Sequence, residues 1–173
     1  MNKEKRNRQT TKRYVVCLFF CQKGRKNMKI KEIMNTNLKW VTPNTDLKKA
    51  AEIMQKYDVG VVPVCNDNQV LLGLVTDRDI VVRNIAEGKD PGTTMVKDIM
   101  TSGVKTGRPD MSLDEACEIM SDWQVRRLPI VDNEKLVGLI SLGDIALDCD
   151  FDVEVSQCLC DICEDRDPGD WDD

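Results

Sequence analysis

The chain contains the same segment twice, in residues 28–88 and 95–148. Landmarks of the first copy return 66 residues further on: Leu47 as Leu113, Ala50 as Ala116, and Pro63 as Pro129. After the loss of one residue the spacing becomes 65, and residues 72–80 align with residues 137–145. Such a period indicates that each copy is one supersecondary unit that buries its apolar face against its twin. Because each copy alone would be marginally stable, we expect the two to share one core.

Charge is placed unevenly along the chain, whose formal net charge is −5. Residues 1–27 carry nine Lys or Arg against one acidic residue, and residues 148–173 carry one against eleven. The two copies in between are nearly neutral, so they offer no broad basic face for nucleic acid. The chain contains no histidine, which excludes His-based catalytic triads, His proton relays and His metal ligands.

Residues 1–27 differ from the rest of the chain in composition. Their apolar run, residues 14–21, is far shorter than the roughly 20 residues that a membrane span requires, and no small-residue cleavage site follows it. We expect a disordered basic extension, as a start codon assigned too early would produce. With no membrane segment or export signal recognised, the eight cysteines are interpreted as reduced thiols of a cytoplasmic protein.

A helix is predicted near the start of each copy. The apolar residues have helical spacing in both: Leu47, Ala50, Ala51 and Met54 in the first copy, and Leu113, Ala116, Cys117 and Met120 in the second. Thr45 is the expected N-cap of the first helix. Ser112 and Glu115 predict a capping box at the second. Cys117 lies on the apolar face and is interpreted as a core residue.

Two β-rich runs follow each helix, at 59–64 and 71–76 in the first copy and at 125–131 and 136–141 in the second. Each second run leads directly into another helix, beginning near Asp77 or Leu142, and Gly88 ends the first of these. A short strand near Val41, or at 104–106, completes the pattern. The predicted fold class is therefore α/β (α+β), with two β-α-β-β-α repeats joined by a linker at 89–94.

A hydroxyl and an acid recur where the last strand of each copy meets its last helix. Thr76 and Asp79 hold these places in the first copy, and Ser141 and Asp144 hold them in the second. A hydroxyl at a helix N-terminus can join backbone N–H groups in holding a phosphate, and a carboxylate can accept from both hydroxyls of a ribose. The alternative is that these residues only cap their helices.

These endings resemble those of a known family. The pattern apolar-Gly-apolar-apolar-Thr/Ser-x-x-Asp, the strands that contain Pro63 and Pro129, and the openings at 31–34 and 97–100 resemble a tandem of cystathionine-β-synthase (CBS) domains, or Bateman module. The resemblance covers about residues 28–148. It implies a pseudo-two-fold CBS pair, two clefts that bind adenosine nucleotides or related adenosyl ligands, and a head-to-head homodimer.

The resemblance also assigns roles to single residues. Thr76 and Ser141 match the hydroxyl that approaches the phosphate, and Asp79 and Asp144 match the acid that takes the ribose diol. Arg127 matches a basic residue that reaches phosphate, although a solvated arginine at a strand edge is the alternative. Four positions match residues that line the base pocket, with plain core strand as the alternative for each: Val41, Thr42, Val62 and Thr106.

The two copies differ where the ligand is expected. The second copy has Leu142-Gly143 in place of Asp77-Arg78, and Arg108-Pro109 in place of Thr42-Pro43. The first copy has Val61 at the position of Arg127. We therefore predict that the two clefts bind unequally.

The tail, residues 149–173, contains Cys158, Cys160 and Cys163 close together. Three thiols could hold zinc or an iron-sulfur centre with Cys149 as a fourth ligand. The alternative, which we adopt, assigns no metal. A short amphipathic segment packs on the domain or its partner through Val155, Leu159 and Ile162 and ends in a solvated acidic run.

The sequence thus predicts a non-catalytic regulatory module that requires no cofactor. Its regulatory ligand would be AMP, ADP, ATP or S-adenosylmethionine, and it would signal through conformation or dimer packing to an effector protein. One alternative is a scaffold protein with vestigial clefts. A nucleotide-hydrolysing enzyme is another, against which stand the missing histidine and the lack of a Gly-rich phosphate loop.

Overall fold

The structure, a computed structural model, describes residues 28–147 and 152–163. Its α-helices are α1 (Ile30–Ile33), α2 (Leu47–Tyr57), α3 (Asp77–Ile80), α4 (Leu113–Asp122), α5 (Leu142–Ala146) and α6 (Asp152–Cys163). Its strands are β1 (Val61–Cys65), β2 (Leu71–Thr76), β3 (Thr101–Ser102), β4 (Arg127–Asp132) and β5 (Lys135–Ser141). A π-helix (Val81–Ile85) continues α3, and a 3-10 helix (Val96–Asp98) precedes β3. The predicted mixture of helices and strands is confirmed.

The described residues form two compact units, and each unit draws on both copies of the repeat. The sheet unit consists of residues 34–109 and 127–140 and contains the strands together with α2 and α3. The helical unit consists of residues 28–33, 110–126, 141–147 and 152–163 and contains α1, α4, α5 and α6. Residues 1–27 and Cys149 lie outside the described residues.

Two antiparallel hairpins form the frame of the sheet unit. Strand β1 pairs with β2, with Val61 opposite Thr76, and β4 pairs with β5. At the first turn the Asn66 side chain accepts hydrogen bonds from the N–H groups of Asn68 and Val70, at 3.0 and 2.9 Å. This local bonding fixes the turn and therefore the register of the hairpin.

The first strand of each hairpin begins later than predicted. Val59 was included in a strand, but its N–H donates to the carbonyl of Met54 at 3.0 Å and so closes the end of α2. Val125 makes the same bond to Met120 at 2.9 Å after α4. Because these N–H groups satisfy helix carbonyls, neither residue is available for strand pairing.

The opening segment of each copy pairs with the hairpin of the other copy. Thr101, from the opening of the second copy, lies opposite Leu74 in β2. Asn35, from the opening of the first copy, exchanges two backbone hydrogen bonds with Leu139 in β5, at 2.9 and 3.0 Å. The sheet unit can therefore form only when both copies are present.

Each place where an opening segment pairs with the hairpin of the other copy is called a crossing, and a glycine lies at each of the two crossings. A Cβ on Gly73 would overlap the backbone carbonyl oxygen of Thr101, whereas a Cβ on Gly138 would overlap the side chain of Met34. The glycine of the recurring motif is thus required by the close approach of the exchanged segment.

Helix α2 starts at a different cap from the one predicted. Asp46 is the N-cap, and its side chain accepts from the N–H of Lys49 at 2.7 Å. The prediction of Thr45 was wrong because its hydroxyl is already bonded to the N–H and hydroxyl of Thr42, at 3.2 and 3.1 Å. At α4 the capping box of Ser112 and Glu115 is confirmed, with bonds of 2.6 and 3.2 Å.

Helix α6 packs against α4 inside the helical unit, and its buried residues include the predicted Ile162 together with Cys158, which was not predicted. Cys158 and Ile162 are buried, whereas Leu159 is 44 % exposed. The Cys158 thiol donates to the carbonyl of Cys117 at 3.4 Å, and Cys117 is a buried core residue, as predicted. Leu159 does not pack inside the helical unit because it lies one residue, about 100°, away from the buried Cys158 around the helix, and its packing on a partner stays a prediction.

The two crossing glycines predict unequal effects of the same substitution. Gly73→Ala should lower the free energy of unfolding by about 2–3 kcal/mol, because the added methyl group meets rigid backbone. Gly138→Ala should cost about 1 kcal/mol or less, because the Met34 side chain can move. Urea denaturation of both variants measures the difference, and an equal or reversed order would contradict the crossing geometry.

Candidate functional site

The strand-to-helix junction of the first copy, Thr76–Asp79, is called the copy-one end and lies in the sheet unit. Its hydroxyl and acid are bonded to each other: Thr76 donates to Asp79 Oδ2 through its N–H at 2.9 Å and through its hydroxyl at 2.7 Å. The N–H of Asp79 donates back to Thr76 Oγ1 at 3.1 Å. This capping box fixes the rotamers of both side chains.

The second oxygen of Asp79 is also engaged. Asp79 Oδ1 forms an ion pair with Arg83 Nη1 at 3.2 Å, and the Asp79 side chain is only 13 % exposed. Arg83 is held in turn by the carbonyl of Ile99 at 2.7 Å and by the hydroxyl of Thr101 at 3.3 Å. Sequence reasoning missed Arg83, although its i, i+4 spacing from Asp79 is a recognisable signal for such a pair.

The matching junction of the second copy, Ser141–Asp144, is called the copy-two end and lies in the helical unit. It contains the same capping box, with Ser141 donating twice to Asp144 Oδ2 at 2.7 Å and Asp144 N–H donating back at 3.1 Å. Within residues 28–147 and 152–163, Asp144 Oδ1 has no hydrogen-bond or ion-pair partner. The acid of the second copy therefore keeps one open acceptor.

The backbone donors of the copy-one end are all used. The N–H groups of Asp77, Arg78 and Asp79 donate to Gly60 O, Asp77 Oδ1 and Thr76 Oγ1, at 3.2, 2.7 and 3.1 Å. A ligand phosphate would have to displace one of these acceptors, which weakens the predicted role of this junction as a phosphate cradle.

The copy-two end keeps a backbone donor. The N–H of Leu142 donates to Arg126 O at 3.0 Å, and that of Asp144 donates to Ser141 Oγ. The N–H of Gly143 has no acceptor among the described residues. Because Gly143 also has no side chain, its amide can be approached closely by a ligand oxygen.

Arg127 lies beside the copy-one end. A Cβ on Gly60 would be 2.9 Å from Asp77 Oδ2 and 3.6 Å from Arg127 Nη2. The guanidinium and the carboxylate therefore flank the same glycine, and both side chains are exposed. Sequence reasoning noted Asp77 as a difference between the copies but did not find Gly60, because only the folded chain brings position 60 to position 127.

The four predicted base-pocket positions fall into two groups in the sheet unit. Val41 and Val62 are buried in the apolar core, where Val62 is fully inaccessible. Thr42 is half-buried and Thr106 is exposed. Only the two threonines therefore present accessible side chains.

The cysteines of α6 differ in burial. Burial and the nearby charge of Asp161 raise the pKa of the Cys158 thiol, whereas Cys160 and Cys163 are exposed. Elsewhere, burial raises the pKa of Cys65 to about 11, so that thiol stays protonated at neutral pH. The described part of the chain contains no group of three or more Cys, Asp or Glu side chains placed to hold a metal ion.

Comparison with known proteins identifies relatives of both copies. Residues 30–83 and 96–147 each match the family model of the CBS domain. The CBS domain-containing protein YhcV of Bacillus subtilis is 43 % identical over 118 residues, which are 68 % of this chain and 83 % of that protein. None of the helices in residues 28–147 and 152–163 is long and apolar enough to cross a lipid bilayer.

Two similar solved structures contain adenosine compounds. CBSX2 in complex with AMP is 27 % identical, has a TM-score of 0.60, and its match covers 69 % of this chain and 93 % of CBSX2. The CBS domain pair of protein MJ0100, in complex with 5′-methylthioadenosine and S-adenosyl-L-methionine, is 25 % identical with a TM-score of 0.65. That match covers 70 % of this chain and 95 % of that one.

The capping boxes predict that both acids contribute to stability. Asp144→Ala should lower the free energy of unfolding by about 1 kcal/mol through loss of the cap. Asp79→Ala should cost a few tenths of a kcal/mol more, because it also removes the partly exposed ion pair with Arg83. Chemical denaturation tests this, with Asp79→Asn as the control that keeps an oxygen for the Thr76 N–H. Unchanged stability in both alanine variants would show that neither carboxylate caps its helix.

Proposed function

Because this chain belongs to the CBS-domain family as a tandem pair with the α/β fold of that family, we propose that it senses an adenosine nucleotide or related adenosyl ligand without catalysing a reaction. The observation that carries the proposal is the pair of hydroxyl-acid junctions, each with its acid held rigidly by a capping box. The complexes of CBSX2 and MJ0100 with adenosine compounds support the ligand class.

The proposed roles follow from the open atoms of each junction. At the copy-two end, Asp144 Oδ1 would accept from the ribose diol, and the Gly143 amide would donate to an anionic group. The Ser141 hydroxyl would join the Gly143 amide only by releasing its hydrogen bond to Asp144 Oδ2. At the copy-one end, Asp79 Oδ1 would accept a hydrogen bond from the ribose while it remains paired with Arg83. The Thr76 hydroxyl would remain bonded to Asp79 Oδ2. Arg127 would bind the anionic group of the ligand there.

For a ligand at the copy-one end, which lies in the same unit as these positions, the adenine would lie against Thr42 and Thr106, since these are the accessible members of the predicted pocket. The buried Val41 and Val62 would support the pocket from the core beneath. A base held mainly by apolar surface and backbone groups needs no charged partner, which agrees with the composition of these positions.

The unequal junctions predict unequal binding. Isothermal titration calorimetry with AMP, ADP, ATP and S-adenosylmethionine should reveal one tighter site for each ligand that binds, and two equal sites would contradict the proposal. Asp144→Asn should weaken AMP binding about tenfold, because a charged acceptor of the ribose is lost. Asp79→Asn should weaken AMP binding less, because the Asp79 carboxylate is already shared with Arg83.

Two further measurements separate the alternatives. A ligand at 100 times its dissociation constant should raise the free energy of unfolding by about 2.7 kcal/mol, so a thermal-shift panel without any response would favour a scaffold protein. Release of phosphate from ATP in the presence of Mg²⁺ would instead favour a hydrolase.

An exposed apolar face supports the proposal of a homodimer that signals to an effector protein. Val81, Val82 and Ile85 of the π-helix are 57, 49 and 52 % exposed. Adjacent apolar side chains in water favour burial against a partner, and we assign this face to a second copy of the chain.

The dimer proposal predicts the effect of one charged substitution. The protein should have the mass of two chains in light scattering, and Val81→Lys should weaken association at least tenfold by burying an unpaired charge. Val59→Lys, at an exposed valine outside this face, is the matched control. A monomeric unmodified protein would overturn the assignment.

A further inference from the structure

Two opposite charges, those of Asp77 and Arg127, flank Gly60 in the sheet unit. Asp77 uses Oδ1 to accept from the N–H of Arg78 at 2.7 Å. Its Oδ2 and the Arg127 guanidinium have no hydrogen-bond or ion-pair partner in the described part of the chain. Both atoms approach the empty position of the Gly60 side chain, at 2.9 and 3.6 Å. An anionic acceptor and a cationic donor therefore face the same small space.

This arrangement is poorly suited to a phosphate. The Arg127 guanidinium would attract a phosphate, but the Asp77 carboxylate beside it would repel the same group. The N–H groups of Asp77, Arg78 and Asp79 cannot compensate, because each already donates to a protein oxygen. A ligand that ends in phosphate thus meets one favourable and one unfavourable charge.

An α-amino acid group matches both charges at once. It carries an ammonium and a carboxylate on one carbon atom, so the ammonium can donate to Asp77 Oδ2 while the carboxylate accepts from Arg127. We propose that the copy-one end selects adenosyl ligands that carry an amino acid group, of which S-adenosylmethionine is the example, over nucleoside phosphates. This inference rests on the proposed function and names the ligand class of one junction.

The second copy lacks these features. By the repeat spacing, Arg126 replaces Gly60 and Leu142 replaces Asp77, and the bond from Leu142 N–H to Arg126 O matches that from Asp77 N–H to Gly60 O. The copy-two end therefore has neither the acid nor the space that a missing Cβ provides. Selection for the amino acid group is specific to the first copy.

The test compares three ligands by calorimetry on the full chain: S-adenosylmethionine, 5′-methylthioadenosine and AMP. The second contains the adenosine and the sulfur of the first, but it lacks the amino acid group and, as a thioether, also the positive charge of the sulfonium. Arg127→Gln therefore isolates the amino acid group, because removal of a cation cannot weaken the binding of a sulfonium. Asp77→Asn and Arg127→Gln should each lower the affinity for S-adenosylmethionine about fivefold, which is the upper range for an exposed charge pair. Neither substitution should change the affinity for 5′-methylthioadenosine. Asp77→Asn should also strengthen AMP binding by removing a repulsive charge. Gly60→Ala should lower the affinity for S-adenosylmethionine but not for the other two ligands, because the added methyl group fills the space between Asp77 and Arg127.

Matched controls remove the same charges elsewhere in the sheet unit. Asp67→Asn and Lys135→Gln change exposed residues at the turn ends of the two hairpins, and both should leave all three affinities unchanged. Equal losses for S-adenosylmethionine and 5′-methylthioadenosine in the Asp77 and Arg127 variants, or no loss for either, would overturn the inference while leaving the proposed function intact. If the unmodified protein bound none of the three, the proposed function itself would fail, and this inference with it.

Discussion

The exchange of opening segments between the two copies is the constraint on which the sheet unit depends. Thr101 reaches the hairpin of the first copy, and Asn35 reaches the hairpin of the second. The strand β2 that receives Thr101 ends at Thr76, where the copy-one end begins. The pairing that completes the sheet therefore also sets the position of a candidate ligand junction.

The same hydrogen bonds serve structure and candidate function at each junction. An acid at the third helical position caps the helix through one oxygen, and the cap in turn holds the carboxylate in a single rotamer. Asp79 and Asp144 share this arrangement and differ at the second oxygen, which is paired with Arg83 in Asp79 and has no partner among residues 28–147 and 152–163 in Asp144. A rigid acceptor loses little entropy when a ligand binds. Capping and ligand binding are therefore compatible, because the cap uses one carboxylate oxygen. Whether the second oxygen is already paired determines whether it can accept a hydrogen bond from a ligand.

The sequence predicted well what depends on local pattern and poorly what depends on competition between neighbours. The period and the apolar stripes were enough for the order of the helix, hairpin and second helix in each copy and for the α4 capping box, because those signals lie within a few residues. The short strand predicted near Val41 or at 104–106 was wrong: Val41 forms an isolated bridge to Val64, and the short strand of the second copy is Thr101–Ser102. Thr45 does not cap α2 because its hydroxyl is already hydrogen-bonded to Thr42. The Gly60 environment could not be predicted at all, since it joins residues 60, 77 and 127, which meet only after folding.

The differences between the copies cluster around one backbone hydrogen bond. The bond from Asp77 to Gly60 in the first copy and the bond from Leu142 to Arg126 in the second are equivalent, so the backbone is conserved between the copies while its side chains are not. A duplicated fold needs the bond, whatever side chains its residues carry. The side chains are consequently free to diverge, and they do so in charge: an acid beside a glycine in one copy, and an arginine beside a leucine in the other. Divergence of charge around a fixed backbone frame is expected when two equivalent junctions come to bind different ligands, because electrostatic complementarity changes specificity without altering the fold.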